Sequence, residues 1–157
     1  MFWKALPLYA ALLMAAFMLF GCGSTAEPQS AAAVAKAYRQ WDESSIAGNA
    51  KVACSRMTAA FLKFEIAAAG VQPSTCQALI KDTVSFVRQH PETKKFKISG
   101  ITVIGDRATL TDRTPYGNEV DIAKMSLVRV NGRWRVDSQI VLNQGRPKRP
   151  PASALTS

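Results

Sequence analysis

Between Ser30 and Ala47, residues Ala31, Val34, Tyr38, Trp41 and Ser45 recur at three- and four-residue steps. That period puts one face of an α-helix inward, and Ser30 is a residue type that caps such a helix. Gly48 suits the position just past its end, and Asn49 the cap of a short second helix over Ala50 to Met57. Thr58 caps a third helix, Ala59 to Ala69, with Leu62, Ile66 and Ala69 facing in and Gly70 closing it. Pro73, Ser74 and Gln77 open a fourth, where Ser74-x-x-Gln77 has the form of a capping box. Cys76, Leu79, Ile80, Thr83, Phe86 and Val87 share one face of it, and His90-Pro91 ends it.

From Lys94 the period drops to 2. Phe96 and Ile98 alternate with lysines, then Ile101 and Val103 continue one position out of phase, so a β-bulge is predicted at Gly100. Gly105-Asp106 predicts a tight hairpin turn, and Ala108 and Leu110 a second strand. Thr114 to Asn118, with Pro115 and Gly117, predicts a wider turn. Glu119 to Val130 is apolar on both faces, as a central strand is. Asn131-Gly132 is the dipeptide of a two-residue type I′ hairpin. Arg133 to Leu142 then places Trp134, Val136, Ser138 and Ile140 on one face, with Arg133, Arg135, Asp137 and Gln139 on the other. Helices followed by an antiparallel meander define an α+β class: about four helices packed on a curved four-stranded sheet in a cone-shaped roll. Such a roll is expected to bury Trp41, Phe86 and Trp134 together.

The first residues follow neither period. Lys4 is the only charge before Glu27, and Leu6 to Phe20 is an almost unbroken apolar run. A short basic start followed by an apolar core is the pattern of an export signal. The run is about 15 residues, short of the ~20 that a membrane-spanning helix needs. Its end, Leu19-Phe20-Gly21-Cys22, resembles a bacterial lipobox: an aliphatic residue at −3, a small one at −1, then cysteine. Phe20 departs from the usual small or aliphatic residue at −2. The resemblance implies cleavage before Cys22 and a diacylglycerol on its thiol; the alternatives are an ordinary secretory signal cut nearby or an uncleaved anchor. Acyl chains contribute about 0.8 kcal/mol per buried methylene, so two or three hold a protein durably on a bilayer.

Composition refines this picture. The chain of 157 residues carries a net charge of +9, and loss of Lys4 with residues 1–21 lowers it to +8. Basic exported proteins sit near anionic lipid heads or anionic envelope polymers, or simply present a solvated basic surface. Export removes nucleic acid as a partner. Of the 3 cysteines, lipidation accounts for Cys22, which leaves Cys54 and Cys76 to pair in an oxidising compartment. A two-thiol metal or redox site lacks both a CxxC spacing and histidine partners. The expected organisation is a signal over 1–21, a tether over 22–29, the α+β domain over 30–142, and a basic Pro-containing tail over 143–157 with little to bury.

The stretch AVAKAYRQWDESSIAGNAKVACSRMT, Cys76 and the closing VNGRWRVDSQI together resemble small exported lipoproteins with a nuclear-transport-factor-2-like (SnoaL-like, cystatin-like) domain. The resemblance spans about residues 30 to 142. It implies a Cys54–Cys76 bridge and a cone-shaped cavity that in some relatives binds an apolar ligand and in others is filled core. Catalytic relatives place a Tyr donor and one or two carboxylates in the cone, where burial raises a carboxyl pKa. Tyr38, Asp42 and Asp112 are the corresponding candidates, with Trp41, Phe86 and Trp134 as cavity walls. Each has a plain structural reading: core aromatics, a solvated helix charge, a strand end. No Gly-rich phosphate loop is present, and a lone His90 gives a histidine triad or a zinc site little to build on. No catalytic residue, metal or cofactor is assigned. The expected function is a membrane-anchored, non-catalytic interaction or accessory module at the cell envelope, its partners the membrane and an envelope polymer or protein. The alternatives are a carrier of an apolar small molecule or lipid, and a SnoaL-like isomerase or cyclase.

Overall fold

The structure is a computed structural model that describes residues 26–142. The expected signal, the lipobox with Cys22 and the basic tail lie outside the described residues. Among the described residues, no helix is long and apolar enough to cross a membrane.

The helical layer forms where the periodicity places it. Helix α1 spans Ala31–Ile46, and the Ser30 hydroxyl accepts from the Ala33 amide at its start. Helix α2 is Ala50–Ser55 with Asn49 as its cap, and α3 is Ala59–Ala69 with Thr58 as its cap. Gly70 closes α3 at φ +64°, in the left-handed region that glycine enters freely. Helix α3 buries Ala69, as expected, and also Phe61; Leu62 and Ile66 are half-buried and pack against the core. Helix α4 is Cys76–Gln89, and its cap is Thr75, whose hydroxyl accepts from the Ala78 amide. The cap therefore falls one residue after the expected Ser74, and no capping box forms there, because Ala78 stands where the box needs Glu or Gln. Beyond α4, a single 3-10 turn, Pro91–Lys95, precedes the sheet.

The sheet is a four-stranded antiparallel meander in the order β1-β2-β3-β4, with β1 at Lys97–Ile104, β2 at Arg107–Tyr116, β3 at Glu119–Val130 and β4 at Arg133–Val141. The β1–β2 register slips between Ser99 and Thr102, and Gly100 takes φ +60° there, as the phase change predicts. Asn131 and Gly132 both take positive φ, 51° and 75°, as a type I′ turn requires. The expected wide turn over Thr114 to Asn118 is absent. Thr114, Pro115 and Tyr116 stay paired in β2, opposite Asp121, Val120 and Glu119, and only Gly117 and Asn118 turn.

A second bulge lies in β4. Ser126 faces Ser138 and Leu127 faces Val136, so Asp137 is the extra residue. Beyond it the faces exchange. Trp134 and Val136 are buried as expected, but Ile140 is 60% exposed, and Gln139 and Val141 turn toward the helices. No glycine marks this slip.

The core joins α1, α3 and α4 to β2, β3 and β4 through Val34, Tyr38, Phe61, Leu79, Leu110, Met125, Leu127, Trp134 and Val136. Cys54 and Cys76 form a disulfide, Cα to Cα 6.1 Å, tying α2 to the start of α4. Closing a loop of this size stabilises a fold by roughly 3 kcal/mol in the chain-entropy view. Residues expected in the tether also belong to the domain. The Glu27 amide donates to the Gly132 carbonyl at 2.7 Å, and its carboxylate accepts from the Trp134 amide at 2.7 Å. The same carboxylate pairs with Arg56 at 2.7 Å, and the Pro28 carbonyl accepts from the Trp134 indole at 3.0 Å. These contacts close the end of the molecule that holds the Asn131-Gly132 turn.

Candidate ligand-binding pocket

The opposite end is open. A pocket of ≈ 470 Å³ lies between α1, α3, α4 and the far ends of β2 and β4, within the roughly 300–1,000 Å³ of small-molecule sites. Its apolar wall comes from Trp41, Phe64, Leu79, Ile80, Phe86 and Val141. The exposed members of the lining, Phe64, Ala68 and Val141, stand at its mouth. Its polar groups are Asp42 and Glu65 with Ser45, Thr83, Thr93, Thr114 and Gln139.

Each wall follows from local sequence. Trp41 and Asp42 sit side by side on α1, one turn beyond Tyr38. Phe61, Glu65 and Ala69 lie four residues apart on α3, so the stripe that buries Phe61 also presents Glu65 to the pocket. Phe86 stacks on Tyr116 at 5.9 Å with the rings 9° from parallel, and His90 packs against both rings. His90 is thereby part of a ring cluster, with Glu92 3.6 Å from its Nδ1.

Of the residues expected to line the cone, Trp41, Asp42 and Phe86 do, and Tyr38, Asp112 and Trp134 do not. Tyr38 is buried beneath Trp41, the two ring centroids 5.3 Å apart, and its hydroxyl donates to Asp112 Oδ2 at 2.9 Å. Thr114 donates to the same oxygen at 3.2 Å. The Tyr38–Asp112 pair thus fastens α1 to β2 inside the wall. Trp134 is fully buried near the closed end, in the same core cluster that Trp41 packs against, while Phe86 packs instead with Tyr116 and His90. Trp134 fills one end of the core, and the other end keeps a cavity.

Burial pushes the Tyr38 hydroxyl well above its ordinary value, and the nearby Asp112 and Asp42 charges add to this. It stays protonated and donates. Asp42 is pushed up to about 7, first by burial, then by the Asp112 and Glu43 charges. Its Oδ2 is buried with no hydrogen-bond partner among the described residues, as is Trp41 Nε1. A carboxyl poised near neutrality, in an apolar pocket with an unsatisfied oxygen, can accept a hydrogen bond or a positive charge from a guest. Among the described residues, no group of three His, Cys, Asp or Glu side chains is placed to hold a metal ion.

Sequence reasoning missed Glu65, Phe64, Thr83 as a pocket wall, and Gln139. The i, i+4, i+8 relation of Phe61, Glu65 and Ala69 carried the signal for Glu65. Gln139 was hidden by the bulge at Asp137. Compared with protein-family models, with characterised proteins and with solved structures, the chain matches none of them.

Proposed function

We propose that this protein is a lipid-anchored module of the bacterial cell envelope whose α+β domain binds a small, mainly apolar molecule. The pocket between α1, α3 and α4 carries this reading: it is open, mostly apolar, and holds a few convergent polar groups. The lipobox-like Leu19-Phe20-Gly21-Cys22 and the Cys54–Cys76 bridge support an exported, anchored protein. The resemblance to nuclear-transport-factor-2-like lipoproteins agrees with a helical layer over a four-stranded meander.

Calorimetric titration of 1-adamantanol into the full chain in phospholipid nanodiscs, with empty discs subtracted, tests the binding claim. One saturable site per chain is expected, absent in Ala68→Trp. Ala68 is exposed at the mouth on α3, so a Trp there blocks entry without entering the core. Equal binding by the two proteins contradicts the reading.

A further inference from the structure

We infer that the pocket's ligand is an apolar amine or ammonium ion, selected over apolar carboxylates by Asp42 and Glu65 at the base of an aromatic wall. This deepens the binding proposal and rests on it. The observation is one of sign. The chain carries a net charge of +9, yet among the described residues the pocket lining holds two carboxyl groups and no Lys, Arg or His.

The charged and polar groups around Asp42 agree from each element. Glu43 and Tyr38 stand beside it on α1, Asp112 and Thr114 come from β2, and Glu65 from α3. Helix α4 adds Thr83 and β4 adds Gln139. None supplies a positive charge. An anionic headgroup entering here meets like charge in a low-dielectric pocket, with no cation to offset its desolvation. A cationic headgroup meets the Asp42 carboxyl, whose buried Oδ2 has no hydrogen-bond partner among the described residues, and charge-assisted hydrogen bonds to a carboxylate are the strong ones. The rings of Trp41, Phe64 and Phe86 line the pocket, and aromatic rings attract a cation and cover its apolar body.

Binding and proton release are coupled. Free Asp42 exchanges its proton near neutrality, and an ammonium guest favours the ionised form. The affinity for the amine therefore falls as the pH drops below about 7, while that of a neutral guest stays level. A guest with a carboxylate shows no such gain at high pH.

A matched series on one rigid apolar body separates the terms: 1-adamantanamine, 1-adamantanol and 1-adamantanecarboxylate, titrated into the full chain in nanodiscs at pH 8 and pH 5.5. The amine is expected to bind at least about tenfold tighter than the alcohol at pH 8, as an added charge-assisted bond implies, and the carboxylate most weakly. The amine's advantage is expected to shrink at pH 5.5. Asp42→Asn, which keeps the side-chain shape, removes the amine's advantage over the alcohol; Glu65→Gln reduces it. If the alcohol binds but the amine shows no preference, or if the carboxylate equals the amine, the cation assignment is overturned and the pocket stands. If none of the three binds, the binding proposal falls as well.

Discussion

Asp42 is held in the folded chain under conditions that disfavour its charge, so it opposes folding at neutral pH. Its ordinary value is 3.8, and the fold raises it to about 7 through burial and the neighbouring carboxylates. Well below pH 3.8, both folded and unfolded chains keep the proton and the penalty vanishes. As the pH rises, the unfolded chain ionises first, and stability is lost until the folded carboxyl has ionised too, near pH 7 and above. Asp42→Asn removes the penalty. Its stability advantage over the parent is expected to grow between pH 4 and pH 8, reaching on the order of 2–4 kcal/mol, as a shift of this size on a largely buried group implies. Urea midpoints measured across that range check it; an offset that does not vary with pH contradicts it. A group kept at such a cost in a mainly apolar pocket is the kind that marks a site. Asp42 was legible as a candidate from its place one turn beyond Tyr38. That the Tyr38 hydroxyl is committed to Asp112 was not, because the strand and helix that bring them together lie 74 positions apart.

At the scale of the element, the periods of 3.6 and 2 located four helices and four strands, and the differences sit where a one-residue shift decides. Ser74 and Thr75 both suit a helix cap, and sequence pattern favoured Ser74 because Gln77 completes a box. The chain instead bends so that Thr75, in extended backbone, offers its hydroxyl to the Ala78 amide. Thr75→Ala is expected to cost about 1 kcal/mol, the usual worth of a cap, and Ser74→Ala a few tenths at most. Thermal or urea unfolding of the two variants decides; the reverse ranking restores the capping box. Pro115 and Gly117 read as a wide turn, yet Pro115 is accommodated within β2 and the turn needs only Gly117 and Asn118. The bulge at Asp137 has no glycine to announce it, so the alternation of β4 was extended one turn of the pattern too far. That slip exchanges Ile140 for Val141 and Ser138 for Gln139 on the pocket side. Both β4 residues of the pocket wall, Gln139 and Val141, were hidden for this reason alone. The bulge at Gly100, by contrast, was legible because glycine and a phase change coincide.

At the scale of the whole molecule, the two ends differ in kind. One is closed by Glu27, Pro28, Arg56 and Trp134 around the Asn131-Gly132 turn. The other holds the pocket, with Val141 nine residues along β4 from that turn, a span of about 30 Å at strand rise. A chain anchored at Cys22 enters the domain at Glu27, only a few residues later. Glu27 thus stands at the closed end, and the pocket lies at the other. Metabolic labelling with a radioactive fatty acid is expected to mark the parent protein and not Cys22→Ala; label retained in the variant contradicts the anchor.

The open end of the cone is proposed as a binding site, and photolabelling probes it in place. An adamantane diazirine, irradiated with the full chain in nanodiscs and mapped by peptide mass spectrometry, reports which residues surround a compact apolar guest. Labelling is expected on α3 and α4 around Phe64, Glu65, Thr83 and Phe86 and on β4 at Gln139 to Val141, and excess 1-adamantanamine is expected to suppress it. Label confined to the outer face of the sheet, or label in the pocket that the amine does not displace, contradicts the account.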